Sequence, residues 1–179
     1  SMKDLLGGKG ANLAEMKRLG LPVPDGFTLT TEACIEYLKH GSKVPEALSE
    51  QLNSQLAAFS QRTEKSFSSE EQLLLVSVRS GAKISMPGMM DTILNLGLND
   101  DNVKKLAAKT NDARFAYDCY RRLLQMFGEV VYGIPMNAFD TYFNAYKTQH
   151  EYQNDADIPA EGLQEICEHF KGVYLDEVY

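Results

Sequence analysis

A chain of 179 residues with 44% hydrophobic residues, 18 Lys and Arg against 25 Asp and Glu and a net charge of −7 can build its own core, as one domain or a large part of one. The acidic balance repels nucleic acid and anionic lipid, and no apolar run approaches the roughly 20 residues of a membrane span. No nucleic acid and no membrane is therefore expected as a partner, whereas a small polyanion arriving with a divalent cation needs only a few placed donors.

Ala11, Leu13, Ala14, Met16 and Leu19 predict a helix over 8–19, stopped by Gly20 and crowded with glycines at its start. Leu21-Pro22-Val23-Pro24-Asp25-Gly26 is turn chemistry, and Phe27-Thr28-Leu29-Thr30 predicts a short strand. Thr31 and Glu32 open a helix to about His40. Pro45 suits a first helical turn, and Leu48, Leu52, Leu56 and Phe59 carry that helix to about Thr63.

A polar link from Ser66 to Gln72 precedes Leu73-Leu74-Leu75-Val76-Ser77-Val78, which predicts a strand running to Arg79 and covered on both faces. Residues 80–98 hold Gly81, Pro87, Gly88, Gly97 and three methionines without a period, a loop long enough to call for a function. Helices follow over 101–109 and 111–132, the second on a stripe of Ala116, Tyr120, Leu123, Leu124, Phe127, Val130 and Val131 ended by Gly133 and Pro135. Asn137 caps a further helix carrying Phe139, Tyr142, Phe143 and Tyr146. After an acidic link over 151–157, Leu163, Ile166, Cys167 and Phe170 mark the last one. The expected fold class is α+β, mostly helical, with a small β-sheet containing the strands near 27–30 and 73–79.

Cys34, Cys119 and Cys167 form no CxxC pair and read as buried thiols in a reducing, cytoplasmic setting, with no leader peptide at the start. Ser1-Met2 reads as a cloning remnant. His40, His150 and His169 stand in separate polar surroundings with no ligand or nucleophile at meaningful spacing, and Arg121-Arg122 reads as a solvated helix face.

Three segments could carry chemistry. Gly7-Gly8-Lys9-Gly10 puts glycines and one lysine where a helix begins, so that N–H groups, the dipole and a full charge could meet an anion. The same pattern serves as a flexible helix entry with the lysine in water. It is neither GxxxxGK[ST] nor GxGxxG, since Leu13 stands where the latter needs glycine. Arg79 closes one face of its strand after Leu73, Leu75 and Ser77, where a guanidinium can hold a phosphate bidentately or pair with a carboxylate at the core edge. The loop Lys83-Ile84-Ser85-Met86-Pro87-Gly88-Met89-Met90-Asp91-Thr92 has the glycines and methionines of a lid over a nucleotide, and equally those of an irregular connection.

Taken together, Gly7-Gly8-Lys9-Gly10-Ala11-Asn12-Leu13-Ala14-Glu15-Met16, Gly20-Leu21-Pro22-Val23-Pro24-Asp25-Gly26-Phe27-Thr28 and Val76-Ser77-Val78-Arg79-Ser80-Gly81-Ala82 resemble the amino-terminal ATP-grasp domain of the pyruvate phosphate dikinase and phosphoenolpyruvate synthase family. The loop from Ala82 to Leu98, with Ala113-Arg114-Phe115-Ala116-Tyr117-Asp118 and Met126-Phe127-Gly128, resembles the dikinase branch.

The resemblance implies a partial ATP-grasp domain with a phosphate-contacting part over about 3–98 and a helical part over 99–179. It further implies ATP as ligand, with magnesium, and a parent phosphotransferase that interconverts ATP, pyruvate and phosphate with AMP, phosphoenolpyruvate and diphosphate through a phosphohistidine. Carried over by motif, the nucleotide-binding residues are Lys9, Arg79, Gly88, Met90, Asp91 and Thr92. The chain contains no Gly-Gly-x-Thr-Ser-His motif, no pyruvate-binding domain and no second half of the ATP-grasp. No catalytic residue and no metal ligand is therefore expected here. The remainder of a homodimeric parent is the expected partner, and the piece alone should be inactive and expose apolar surface. The competing readings are a phosphoenolpyruvate synthase fragment and a non-catalytic helical interaction module.

Overall fold

Gly7 breaks the first helix. In the computed structural model, which describes residues 2–69, 71–81 and 91–178, helix α1 spans Met2–Arg18 but Gly7 sits at φ 71°, ψ 172° inside it. That backbone region favours glycine, so the helix kinks there and restarts at Gly8. The predicted start at residue 8 is this restart, and a helical turn precedes it.

The chain divides into two compact units, one made of residues 1–74 with 79–91 and the other of 75–78 with 92–179. In the first, α1 is joined to α2 (Thr31–Lys39) by the hydroxyl of Thr31, which donates to the Asp4 carbonyl at 2.8 Å. The Thr30 side chain caps α2 by accepting from the Ala33 N–H. Residues 27–30 are therefore not the strand expected from their β-prone composition: Thr30 is a helix cap and the segment crosses α1, with Thr28 against Gly10. A Cβ on Gly10 would lie 3.2 Å from Leu6 Cβ and 3.5 Å from Thr28. Lys17 steadies the proline turn through Asp25 at 2.9 Å and the Val23 carbonyl at 3.3 Å. Helix α3 (Glu46–Thr63) follows Pro45 and contributes Phe59, which is buried against the edge of Phe27 at 5.9 Å.

Apart from Phe59 and Leu74, the described apolar side chains of this unit are at least partly exposed, and Leu19, Leu29 and Leu38 are each more than half exposed. A unit with so little buried apolar surface gains little of the hydrophobic free energy that stabilises folded chains.

The second unit contains the sheet, two strands in the order β1–β2. Strand β1 is Val76–Arg79 and mostly exposed, correcting the expectation of an interior strand covered on both faces. The apolar run divides: Leu73 bridges to Ser66, Leu74 is buried, and only Val76 onward enters the ladder. Strand β2, Thr92–Leu96, lies inside the stretch expected to be loop. Asn95 within it and Gly97 just after it take positive φ, a departure from regular extended backbone.

Helices α4 (Asn102–Thr110), α5 (Ala113–Phe127), α6 (Met136–Gln149) and α7 (Ala160–Val178) follow; α5, α6 and α7 enclose the main core, and α4 packs on α5. Ile134, Phe139, Phe143, Tyr146, Ile158, Leu163, Ile166, Phe170 and Val173 form it. Phe139 meets Phe170 edge-on at 4.9 Å. Helix α6 is capped by Pro135, with Asn137 in its first turn in place of the expected cap. After Phe127 the helix passes into a π-helical turn, Gly128–Tyr132. The extra residue shifts the phase, so Val131 turns outward instead of extending the stripe of Ala116, Tyr120 and Leu123.

Arg121 also departs from expectation. It is buried, 2.8 Å from Asp118 and 4.4 Å over the Phe143 ring, while only Arg122 reaches solvent. No helix among the described residues is long and apolar enough to cross a membrane.

Candidate functional site

Lys9 lies in the first turn of the restarted helix and is partly exposed. A helix segment that begins again at Gly8 presents first-turn N–H groups and the positive end of its dipole at the break. Arg79 is exposed at the end of β1 and has no ion pair among the described residues.

Two contacts fix where Arg79 stands within the first unit. Ser80 N–H donates to the Asp91 carbonyl at 3.0 Å, the Ser80 hydroxyl donates to the same oxygen at 3.2 Å, and the Asp91 N–H donates back to that hydroxyl at 2.8 Å. One residue on, Gly81 passes so close to the break in α1 that a Cβ built on it would be 3.6 Å from the Leu6 carbonyl oxygen. The segment bearing Arg79 and the turn leading to Lys9 therefore run side by side at Gly81 and Leu6. A lysine in a first helical turn and an arginine at a strand end are each groups that can meet a phosphate oxygen.

Asp91 is exposed and spends both backbone groups on Ser80, while Thr92 opens β2 and is partly buried. Gly88 and Met90 lie outside the described residues. Ser80 was not among the residues singled out from the sequence. Its signal, a serine between a strand-ending arginine and a glycine, is too common to select it without the fold.

The second unit has an open cavity of about 580 Å3 whose lining includes Asp100, Lys104, Tyr117, Tyr120, Glu168 and Lys171. Three of its charges and one hydroxyl form a connected set. Lys171 lies 2.9 Å from Asp100 and 2.7 Å from Glu168, and the Tyr120 hydroxyl donates to Asp100 at 2.9 Å. The Lys171 hydrogen bond holds the Asp100 carboxyl below its ordinary range, and burial pushes the neighbouring Cys167 thiol up to about 12. A thiol so far from ionisation is no nucleophile.

The cysteines are all free, but Cys34 is exposed and Cys119 partly so, and only Cys167 is the buried thiol expected of all three. Among the described residues no group of three or more His, Cys, Asp and Glu side chains is arranged to hold a metal ion.

Residues 3–58 match the family model described as "Pyruvate phosphate dikinase, AMP/ATP-binding domain". The chain is 50% identical over 176 residues to the pyruvate, phosphate dikinase of Clostridium symbiosum, covering 98% of this chain and 20% of that protein. It is 52% identical over 175 residues to the chloroplastic pyruvate, phosphate dikinase 1 of Arabidopsis thaliana, covering 98% and 18%. To the Giardia intestinalis pyruvate, phosphate dikinase it is 50% identical over 171 residues, covering 96% and 19%. The chain thus spans about one fifth of the length of the curated relatives it matches. Half-identity to pyruvate, phosphate dikinases is sustained over nearly the whole chain, and the AMP/ATP-binding family model matches the glycine-rich α1, α2 and most of α3.

Proposed function

We propose that the chain is the phosphate-gripping part of an ATP-grasp domain in a pyruvate phosphate dikinase. In this reading the parent passes a phosphoryl group from ATP to one of its own histidines and on to pyruvate, yielding AMP, diphosphate and phosphoenolpyruvate. The observation that carries it is the half-identity to dikinases over 98% of the chain. The relatives named above are all dikinases, which favours this branch over the synthase, and the nucleotide-binding family model favours it over a helical interaction module.

Within that reading, residues up to about 98 contact phosphate and residues 99–179 supply packing helices. Lys9 and Arg79 neutralise oxygens of the ATP phosphates, with Gly88, Met90, Asp91 and Thr92 on the nucleotide. Phosphoryl transfer develops little covalent chemistry on the protein and depends on positioning and charge stabilisation, a task that two rigidly carried cations suit. Arg79 serves best because a guanidinium fork fits two phosphate oxygens at once. Magnesium neutralises triphosphate charge when bound. In this reading the protein ligands of that magnesium come from the part of the parent outside this chain. The parent is read as a homodimer, and the free cysteines suit a reducing compartment such as the cytoplasm, although several relatives are chloroplastic.

The test is a 1H–15N titration of this chain with magnesium-ATP. Shifts concentrated at the amides of Gly7–Ala11, Arg79–Gly81 and Gly88–Thr92, and lost in Arg79→Ala, are expected. An unperturbed spectrum at millimolar ATP, or shifts that Arg79→Ala leaves intact, would overturn the assignment of these residues.

A further inference from the structure

The geometry points to Ser80 as a positioning residue that aims Arg79 through its bonds to Asp91, an inference that rests on the nucleotide reading above. Three hydrogen bonds join these two residues, and the serine hydroxyl takes part in two, as donor to the Asp91 carbonyl and acceptor from the Asp91 N–H. Both backbone groups of Asp91 therefore answer to one side chain. Both residues are solvent-exposed, so the bonds bury nothing, and their contribution to global stability is small because water can replace them.

What they fix is local. Arg79 is the residue before Ser80, and Gly81, the residue after it, rests against the Leu6 carbonyl at the break that leads to Lys9. Arg79 itself has no ion pair among the described residues to orient it. With no ion pair among the described residues, the direction of the guanidinium is set by the backbone that carries it, which the β1–β2 ladder holds up to Arg79 and the contacts of Ser80 and Gly81 hold beyond it. Without the hydroxyl, one bond from the Ser80 N–H remains and the Asp91 N–H loses its partner. The end of β1 then gains freedom that ligand binding must remove.

The chemistry asks for a hydroxyl on a short side chain, both donor and acceptor, which threonine also supplies and alanine does not. The experiment measures magnesium-ATP affinity from the Gly7–Ala11 and Arg79–Gly81 amide shifts in the unaltered chain, Ser80→Ala, Ser80→Thr, Arg79→Ala and Arg79→Ala/Ser80→Ala, with amide exchange at Asp91 followed alongside.

Ser80→Ala, which removes two of the three hydrogen bonds, should weaken binding by about five-fold, speed exchange at Asp91, and leave the midpoint of thermal unfolding nearly unchanged. Ser80→Thr should restore both readouts. Because Ser80 acts through Arg79, the double variant should bind no more weakly than Arg79→Ala alone. Weakening by Ser80→Ala that persists in the Arg79→Ala background, or affinity unaffected by Ser80→Ala while Arg79→Ala loses it, overturns the positioning role and leaves the nucleotide reading intact. Affinity that Arg79→Ala leaves unchanged, or no binding by the unaltered chain, overturns both.

Discussion

The guanidinium of Arg121 lies 4.4 Å over the ring of Phe143 while its edge meets the Asp118 carboxylate at 2.8 Å. Helix α5 is thereby attached to α6 by a cation whose charge is already matched on its own helix, so the aromatic face meets a partly neutralised group at little desolvation cost. Truncating Arg121 to Ala removes the stacking and leaves Asp118 with only the exposed Arg122 at 3.3 Å. A loss of about 2 to 3 kcal/mol in urea unfolding is expected for Arg121→Ala, and about half that for Arg121→Lys, which keeps charge but not the planar stack.

Gly128 and Gly172 should respond in opposite directions to alanine. A Cβ at 128 would stand 2.7 Å from Phe139 Cζ, and that ring is fully buried and cannot retreat. At 172, inside α7, a Cβ meets nothing within 4 Å. Gly128→Ala is expected to destabilise by about 1 to 3 kcal/mol through overpacking. Gly172→Ala should stabilise by about 0.5 to 1 kcal/mol through helix propensity. Equal effects in thermal unfolding would contradict the packing described around Phe139.

Thiol chemistry should separate the three cysteines. Cys34 is exposed on α2, Cys119 is partly buried with its thiol raised by burial, and Cys167 is buried and pushed up to about 12. Under native conditions a disulfide reagent should modify Cys34 first, Cys119 slowly, and Cys167 only in denaturant. Mass spectrometry of the labelled peptides checks the order; rapid native labelling at Cys167 would mean that α5 and α7 do not pack as described.

Stability should fall at both ends of the pH range. Burial keeps the Cys167 thiol and the Tyr174 hydroxyl neutral in the folded chain, each pushed up to about 12. Their unfolded values are about 8.5 and 10. A raised acid contributes fully below its unfolded value and loses that contribution as pH climbs to the folded one, so the decline begins near pH 8.5 and Cys167→Ala should delay it. Asp100 has the opposite sign. Held low by its hydrogen bond from Lys171, it contributes above its unfolded value near 4 and loses that contribution as pH falls further. Asp100→Asn should flatten the acid limb, as chemical unfolding measured across pH would reveal.

Much of the helical plan can be read from the residues alone. Thr31, Pro45, Gly133 and Pro135 act on their own neighbours, so α2, α3 and the turn before α6 begin or end within a residue or two of expectation. The glycine cluster likewise announces the restart at Gly8, because the left-handed backbone of Gly7 is a local demand. The motifs that indicated the family are also local strings, and the likeness to dikinases extends over nearly the whole chain.

What could not be read depended on partners distant in sequence. Leu73 to Val78 reads as one buried strand, yet burial stops at Leu74 and the ladder starts at Val76, because coverage is decided by what packs on each face. Phe27–Thr30 has strand composition but no strand to pair with, and its last residue serves α2 as a cap. Arg121 looks solvated until Phe143 is brought beneath it. Lys9 and Arg79 stand out in the sequence as isolated cations, but the approach of their segments to one another comes from the contact between Gly81 and Leu6, 75 positions apart in the numbering. Local conformation follows from the chemistry of adjacent residues. The approach of Gly81 to Leu6, and the hydrogen bonds between Ser80 and Asp91, follow only from packing across the chain.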